Sequence, residues 1–237
     1  MKMKKSFILF LAIVTFLLIG CSKSDNGIGD GVNPPPVLDK IHDITLYTLS
    51  GMVGQDKYSN EFDTGNSSTQ GYSDDEFIAK VNKGVITSVH VGKTKVNFGE
   101  EIYNITVKSP LQTFLVPVLE FGATQDYVAS KEIRKRSPAT HKGLIYIGEK
   151  DYIDKVIYYF SDNDKLNKVE IRMNTDKYYE SATYLGHLFQ GITGFQDVDQ
   201  YWLQYINSFS EENATIKVQC SSAKKTTIIF TPFSASW

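Results

Sequence analysis

Between about Lys40 and Ser109 the chain reads as short strands, with apolar residues alternating in several segments and no helical period. Ile44-Thr45-Leu46-Tyr47-Thr48-Leu49 alternates, as do much of Phe77 to Val96 and Tyr103-Asn104-Ile105-Thr106-Val107. A strand sends successive side chains to opposite faces, so this pattern predicts short strands with one buried side. Gly84 and Gly92 stand where turns are needed and are expected to supply conformations closed to other residues. Alternating apolar positions of this kind fill the core between two packed sheets.

The same stretch carries a family resemblance. Ala79-x-Val81, Gly84-Val85-x-Thr87, Val91-Gly92-x-Thr94-x-Val96 and Ile105-x-Val107 follow one another as in the bacterial immunoglobulin-like domain, group 2, of invasin- and intimin-type surface proteins. The resemblance implies an immunoglobulin-like β-sandwich over residues 40–109. Met52 to Gly71 departs from it, being polar and rich in Ser, Asn and Gly where the family has compact strands. The early strand pairing and a different small β-sandwich therefore both stay open.

At the other end of the argument is the N-terminus. Lys2, Lys4 and Lys5 precede a mostly apolar run from Phe7 to Ile19. A membrane-spanning helix needs about 20 apolar residues, and this run is shorter, as in a signal peptide that is removed before folding. Leu17-Leu18-Ile19-Gly20-Cys21 resembles the lipobox of bacterial lipoproteins, with an ordinary secretory signal as the other reading. The lipobox implies cleavage after residue 20 and acylation of Cys21, and two or more acyl chains hold a protein stably on a membrane. Residues 21–39 then form a tether, with Gly27, Gly29 and Gly31 giving freedom and Pro34-Pro35-Pro36 a short extended spacer. Ser22 rather than Asp follows the Cys. By resemblance this favours the outer membrane of a Gram-negative envelope, facing either the cell surface or the periplasm.

The formal net charge is −2 and becomes more negative once the three leading lysines are removed. Nucleic-acid binding, which needs a basic field, is not expected. With Cys21 acylated, Cys220 has no partner for a disulfide. It alternates with Ile216 and Val218, so its thiol is expected on the inner face of a strand as a small apolar group.

After Pro110 the pattern changes. Thr124 and Asp126 open a helix that Ser137-Pro138 should end. Gly143 to Ile147 and Val156 to Phe160 read as strands. Another follows with Val169, Ile171 and Met173 inward and Glu170 and Arg172 outward. Tyr178, Ala182, Leu185 and Phe189 stand at helical spacing, with Gly191 as a stop. Tyr201 to Tyr205, Ala214 to Cys220 and Thr226 to Phe230 are three further strands. The expected class is multidomain: an all-β immunoglobulin-like sandwich, then an α+β domain over 110–237 in helix–strands–helix–strands order, with a duplicated α-β-β-β unit as one reading. Gly122-x-Thr124-x-x-x-Val128 with Tyr158-x-Phe160 and Leu166-x-x-Val169 resembles, at fold level only, small lipoproteins of outer-membrane assembly and β-lactamase-inhibitor-like repeats.

No catalytic residue is identified. Asp63-Thr64-Gly65 matches an aspartic-protease triplet, but that chemistry needs two carboxylates sharing a proton and only one triplet exists, so it reads as a turn. His42, His90, His141 and His187 lack metal-ligand spacing, with His187 expected on a helix flank, and no cofactor motif is present. Two surfaces remain as candidates. Tyr201, Trp202, Tyr205 and Trp237 are aromatics of the kind that stack on sugars or anchor protein partners; the competing reading is core. Lys131, Arg134, Lys135 and Arg136 form a basic group for an anionic partner, or simply the solvated C-terminal end of the first helix. On strand alternation Trp202 shares a face with Gln204, and Tyr201 with Leu203; which pair faces the core is left open. The function expected is therefore non-enzymatic and without cofactor. It is a lipoprotein held on the membrane through Cys21, with a glycan or protein ligand and an immunoglobulin-like spacer. The alternative is a periplasm-facing structural or assembly component.

Overall fold

Residues 40–48, 58–138, 143–196 and 200–233 are described by the structure, a computed structural model. Cys21, the tether, Leu49, His141 and Trp237 lie outside them. The described chain is mostly β-sheet. It begins with β1 (Lys40–Tyr47), β2 (Glu61–Asp63), β3 (Tyr72–Ser73), β4 (Ala79–Asn82), β5 (Val85–Ser88), β6 (Gly92–Phe98) and β7 (Glu101–Lys108). These make two sheets, β1-β7-β6-β3 and β2-β5-β4, antiparallel except that β1 runs parallel to β7. Alternation decides what lies between them. Leu46, Val96, Phe98, Ile105 and Val107 come from the first sheet and Ala79 and Ile86 from the second, all buried in one cluster.

Local chemistry sets the turns. Lys83 and Gly84 both have positive φ, 47° and 82°, and they join Asn82 to Val85 across the β4–β5 pair. A two-residue hairpin of that geometry needs left-handed backbone at both central positions, which Gly84 adopts without strain. Gly92 does not behave as expected. It opens β6 as extended chain, and its smallness matters for space, since a Cβ there would meet Ile78 Cδ1 at 2.3 Å. Asp63-Thr64-Gly65 is a turn: the Gly65 amide donates to Asp63 Oδ1 at 2.9 Å, and the Thr64 hydroxyl donates to the Gly84 carbonyl at 2.8 Å.

The second part runs α1 (Gln125–Lys131), β8 (Gly143–Ile147), β9 (Ile153–Phe160), β10 (Leu166–Met173), α2 (Tyr178–Leu188), β11 (Gln190–Gln196), β12 (Tyr201–Ile206), β13 (Ile216–Ser222) and β14 (Thr226–Pro232). Its single sheet has the order β11-β12-β13-β14-β10-β9-β8 and is antiparallel throughout. Two meanders, each preceded by a helix, thus meet at their last strands, β10 against β14. The second has four strands, one more than the sequence pattern predicts.

One face of the sheet forms a core with both helices. Tyr158, Val169, Ile171, Val218, Cys220, Ile228 and Phe230 are buried there with Val128 and Leu185. Phe114, from the stretch before α1, packs edge-on against Tyr184 at 5.0 Å.

Both helices end differently from expectation. Thr124 does cap α1, accepting from the Tyr127 amide at 3.3 Å, but the helix stops at Lys131 rather than at Ser137. The chain leaves it to pair with β8: the Ser137 amide donates to the Ile145 carbonyl and the Ile147 amide to the Lys135 carbonyl. In α2 the buried side is Tyr178, Ser181, Tyr184 and Leu185, so Tyr184 takes the core position expected of Ala182. Gly191 is not a stop; Phe189 turns extended directly at the helix end, with φ −140° and ψ 154°, and Gly191 lies within β11. His187 is buried rather than flanking. Its Nδ1 lies 2.7 Å from Ser109 Oγ, and its carbonyl accepts from the Val91 amide at 2.7 Å.

Candidate aromatic cleft

The first turn of α2 is held in place by one carboxylate. Asp176 Oδ1 accepts from the Tyr178 amide at 3.0 Å, from the Ser222 hydroxyl at 3.1 Å and from the Thr226 hydroxyl at 3.0 Å. Thr226 Oγ1 in turn accepts from the Lys177 amide at 2.8 Å. Free amides at a helix start need such acceptors. Here they also tie α2 to the end of the β13–β14 hairpin, and so fix where Tyr178 and Tyr179 point.

Tyr178, Tyr179 and Tyr201 then form a triangle of rings, with centroids 5.4, 5.6 and 6.3 Å apart. At those separations the rings touch one another and make a continuous platform, within the usual range of aromatic pairs. They leave no gap for a cation to sit between them. Tyr179 is 69 % exposed, whereas Tyr178 is buried.

The platform forms one wall of a cleft of about 640 Å³ between α2 and the β11–β12 hairpin. Cross-strand partners share a face of a sheet, so the pairings Gly191↔Tyr205, Gly194↔Leu203 and Gln196↔Tyr201 place both glycines on the helix side. In a regular strand, residues three apart point oppositely. A register shift between Gly191 and Thr193 inserts Ile192 as an extra residue and brings the two glycines to one face. The edge strand therefore offers no side chain to the helix side at either position, and Tyr201, Leu203 and Tyr205 line the cleft. A Cβ on Gly194 would come within 2.3 Å of Leu203 Cδ2.

Apart from tyrosine hydroxyls, the described residues lining the cleft carry no acid or base. Burial pushes the Tyr178 hydroxyl up to about 12, helped by the nearby Cys220 and by Tyr179 and Tyr201, and it raises that of Tyr205 as well. Both hydroxyls stay protonated at neutral pH. The Tyr205 hydroxyl donates to the Ala182 carbonyl and the Thr183 hydroxyl to the Tyr179 carbonyl, each at 2.9 Å. The arrangement can bury a neutral, largely apolar group; it has no acid–base pair. Among the described residues no group of His, Cys, Asp and Glu could hold a metal ion, and no helix is long and apolar enough to cross a membrane.

Of the four aromatics singled out from sequence, the structure brings two together here. Tyr201 and Tyr205 line the cleft. Trp202 is not among the lining residues; it stacks on Phe195, which borders the cleft at the sheet edge, with centroids 6.1 Å apart, and Trp237 lies outside the described residues. Tyr201 and Leu203 pack against the core, which settles the open register.

Of the basic group, Arg134 is not part of a surface. Arg134 is buried, its Nε donating to Glu149 at 2.5 Å and its Nη1 to Glu132 at 2.9 Å, with Nη2 on the Leu115 carbonyl. Lys131, Lys135 and Arg136 are exposed, but only Lys131 belongs to the helix. Cys220 is free and buried, its thiol pushed up to about 12 by burial and by Asp176.

Sequence reasoning missed Tyr178 and Tyr179 as cleft residues and missed β11 entirely. The signal available was Gly191-Ile192-Thr193-Gly194-Phe195, a stretch of strand formers interrupted by glycine, which marks bulges and close approaches. Comparison with protein-family models, with curated proteins and with solved structures returned no significant match.

Proposed function

We propose that this protein is a non-enzymatic lipoprotein of a bacterial envelope that holds a ligand, glycan or protein, in the cleft between α2 and the β11–β12 hairpin. The observation that carries the reading is the cleft itself: some 640 Å³ walled by Tyr178, Tyr179, Tyr201 and Tyr205, with no charged side chain among the described lining residues, at an edge of the sheet. Binding sites are concave and mostly apolar, with few polar groups to orient the ligand. The seven N-terminal strands act as an immunoglobulin-like spacer. Supporting this are the order β1-β7-β6-β3 over β2-β5-β4 and the parallel pairing of β1 with β7, an arrangement compatible with the two sheets of such sandwiches. The lipobox resemblance around Cys21 supplies the anchor on the outer membrane.

Two measurements test the reading. In cell fractions the wild type should stay with membranes and Cys21→Ser should become soluble; a variant that still partitions with membranes ends the anchor part. In saturation-transfer NMR against neutral disaccharides and apolar dipeptides, hits on the wild type should vanish in Tyr179→Ala. Its exposed ring makes that substitution nearly neutral for folding, within about 0.5 kcal/mol. Hits that persist in the variant place the ligand elsewhere.

A further inference from the structure

We propose that the occupant of the cleft is an extended segment of a partner polypeptide, which adds to β11 as an eighth strand and drops its alternate apolar side chains between α2 and β12. The proposal rests on the cleft reading above and names the class of ligand.

Three observations converge on it. First, β11 is an edge. The opposite edge of the sheet, β8, is covered by residues 135–137 through two backbone hydrogen bonds, whereas among the described residues nothing pairs with the outer side of β11. An edge strand presents a row of free amides and carbonyls, and proteins commonly blunt it with charge or proline. Gln190-Gly191-Ile192-Thr193-Gly194-Phe195-Gln196 carries neither. Its single irregularity, at Ile192, leaves Thr193 to Gln196 in unbroken register with β12.

Second, the cleft opens beside this edge. A strand laid against β11 sends every second side chain to the helix side, toward the cleft that Gly194 borders with Tyr179, Thr183 and Tyr201. Strand addition next to a groove gives affinity through the main chain and specificity through the side chains that enter it. A second copy of this chain is the poorer occupant. Its own β11 would present Gly191 and Gly194 on that side and leave the cleft unfilled.

Third, the lining argues against a sugar. Carbohydrate hydroxyls need oriented polar groups, yet among the described residues the lining contains no Asp, Glu, Asn, Gln, Lys, Arg or His, and its polar side-chain groups are hydroxyls alone. The hydroxyl protons of Thr183 and Tyr205 are already spent on the helix backbone. The same neutrality specifies the partner: its cleft-facing residues are uncharged and apolar or aromatic.

The probe is an end-blocked decapeptide selected on the full-length protein from a displayed library in which threonine alternates with a randomised apolar residue. The selected peptide is synthesised with a backbone N-methyl group at each position in turn. Strand addition predicts a period of two. Methylation at alternate residues removes a ladder hydrogen bond and should weaken binding by roughly tenfold or more, while the residues between change it by less than about twofold. Tyr179→Ala and Gly194→Leu, each checked for native circular dichroism, should weaken the unmethylated peptide.

Binding that depends on Tyr179 but shows no alternation overturns strand addition and leaves the cleft as a site. Recovery of no peptide, with Tyr179-dependent binding to a neutral oligosaccharide array, overturns it in favour of a glycan. Binding of neither kind removes both readings. A dimer in sedimentation that Thr193→Pro dissociates would instead assign β11 to a second copy.

Discussion

Arg134→Met separates a structural arginine from a docking cation. The guanidinium side chain is 2 % exposed and holds three segments at once: Glu132 just after α1, Glu149 just after β8, and the Leu115 carbonyl. Methionine matches its length and fills most of the space, so the cavity cost is small. What remains is two carboxylates without their cation. Glu132 keeps the Tyr158 hydroxyl and the backbone amide of residue 134, and Glu149 keeps the Leu115 amide. Removing one partner of a buried pair costs about 3–5 kcal/mol, or roughly 6–20 °C in Tm for a chain of this size.

The pH dependence has a definite sign. In the wild type burial raises the Glu149 carboxyl, but the hydrogen bonds from Arg134 and the Leu115 amide outweigh it, so its pKa lies below the ordinary value. A depressed folded pKa gives stability that is fully present above the unfolded value, about 4.3, and is lost as pH falls through the lower folded value. Without the guanidinium, burial is left as the larger influence on that carboxyl. The penalty in the variant is then greatest at neutral pH and fades as the carboxyl takes up a proton. Urea unfolding followed by circular dichroism at pH 7 and pH 4 should show the gap between the two proteins shrinking toward acid. Adding Glu132→Gln and Glu149→Gln to Arg134→Met should recover much of the loss at pH 7. A gap under about 0.5 kcal/mol at pH 7, the range of surface changes, would refute the structural assignment and restore Arg134 to a binding surface.

Two further outcomes follow from the packing. Cys220, at 0 % exposure with its thiol pushed up to about 12, should resist alkylation by iodoacetamide at pH 8 in the native protein and react fully once unfolded in urea; stoichiometric native labelling would contradict its placement. A fragment from Leu111 to Trp237 should fold alone, since every residue of its core cluster lies beyond residue 110; loss of near-ultraviolet circular dichroism in the fragment would show that the sandwich supplies part of that core.

Strands were legible wherever one face is buried and the other is wet, because antiparallel sheet of that kind imposes period two on the sequence. Val169, Ile171 and Met173 lie inward for this reason. Glu170 also alternates outward, yet it is buried to 6 %, because Tyr159 and Arg172 close over it through hydrogen bonds of 2.8 and 2.5 Å. Alternation gives the face and not the depth. Edge strand β11 escaped because its glycines remove the pattern by which strands are recognised. Arg134 was misjudged for a related reason: its partner Glu149 is fifteen residues away, and nothing between them reveals that the chain folds back. The cleft joins residues 178–183 to 194–205, and only the sheet order brings those together.

Helix α2 gives the molecule a division of labour. Its C-terminal end meets the sandwich, where the Val91 amide and Ser109 Oγ bond His187. Its N-terminal turn is fixed from the other side by Asp176, Ser222 and Thr226 and carries the cleft wall. The lining residues fall between Tyr178 and Tyr205, so the sandwich contributes none of them. It bears on the end of the helix remote from the cleft. The cleft's shape instead depends on the bulge at Ile192. Without that residue Gly191 and Gly194 could no longer both keep to the helix side, and a neighbouring side chain would turn to that side instead.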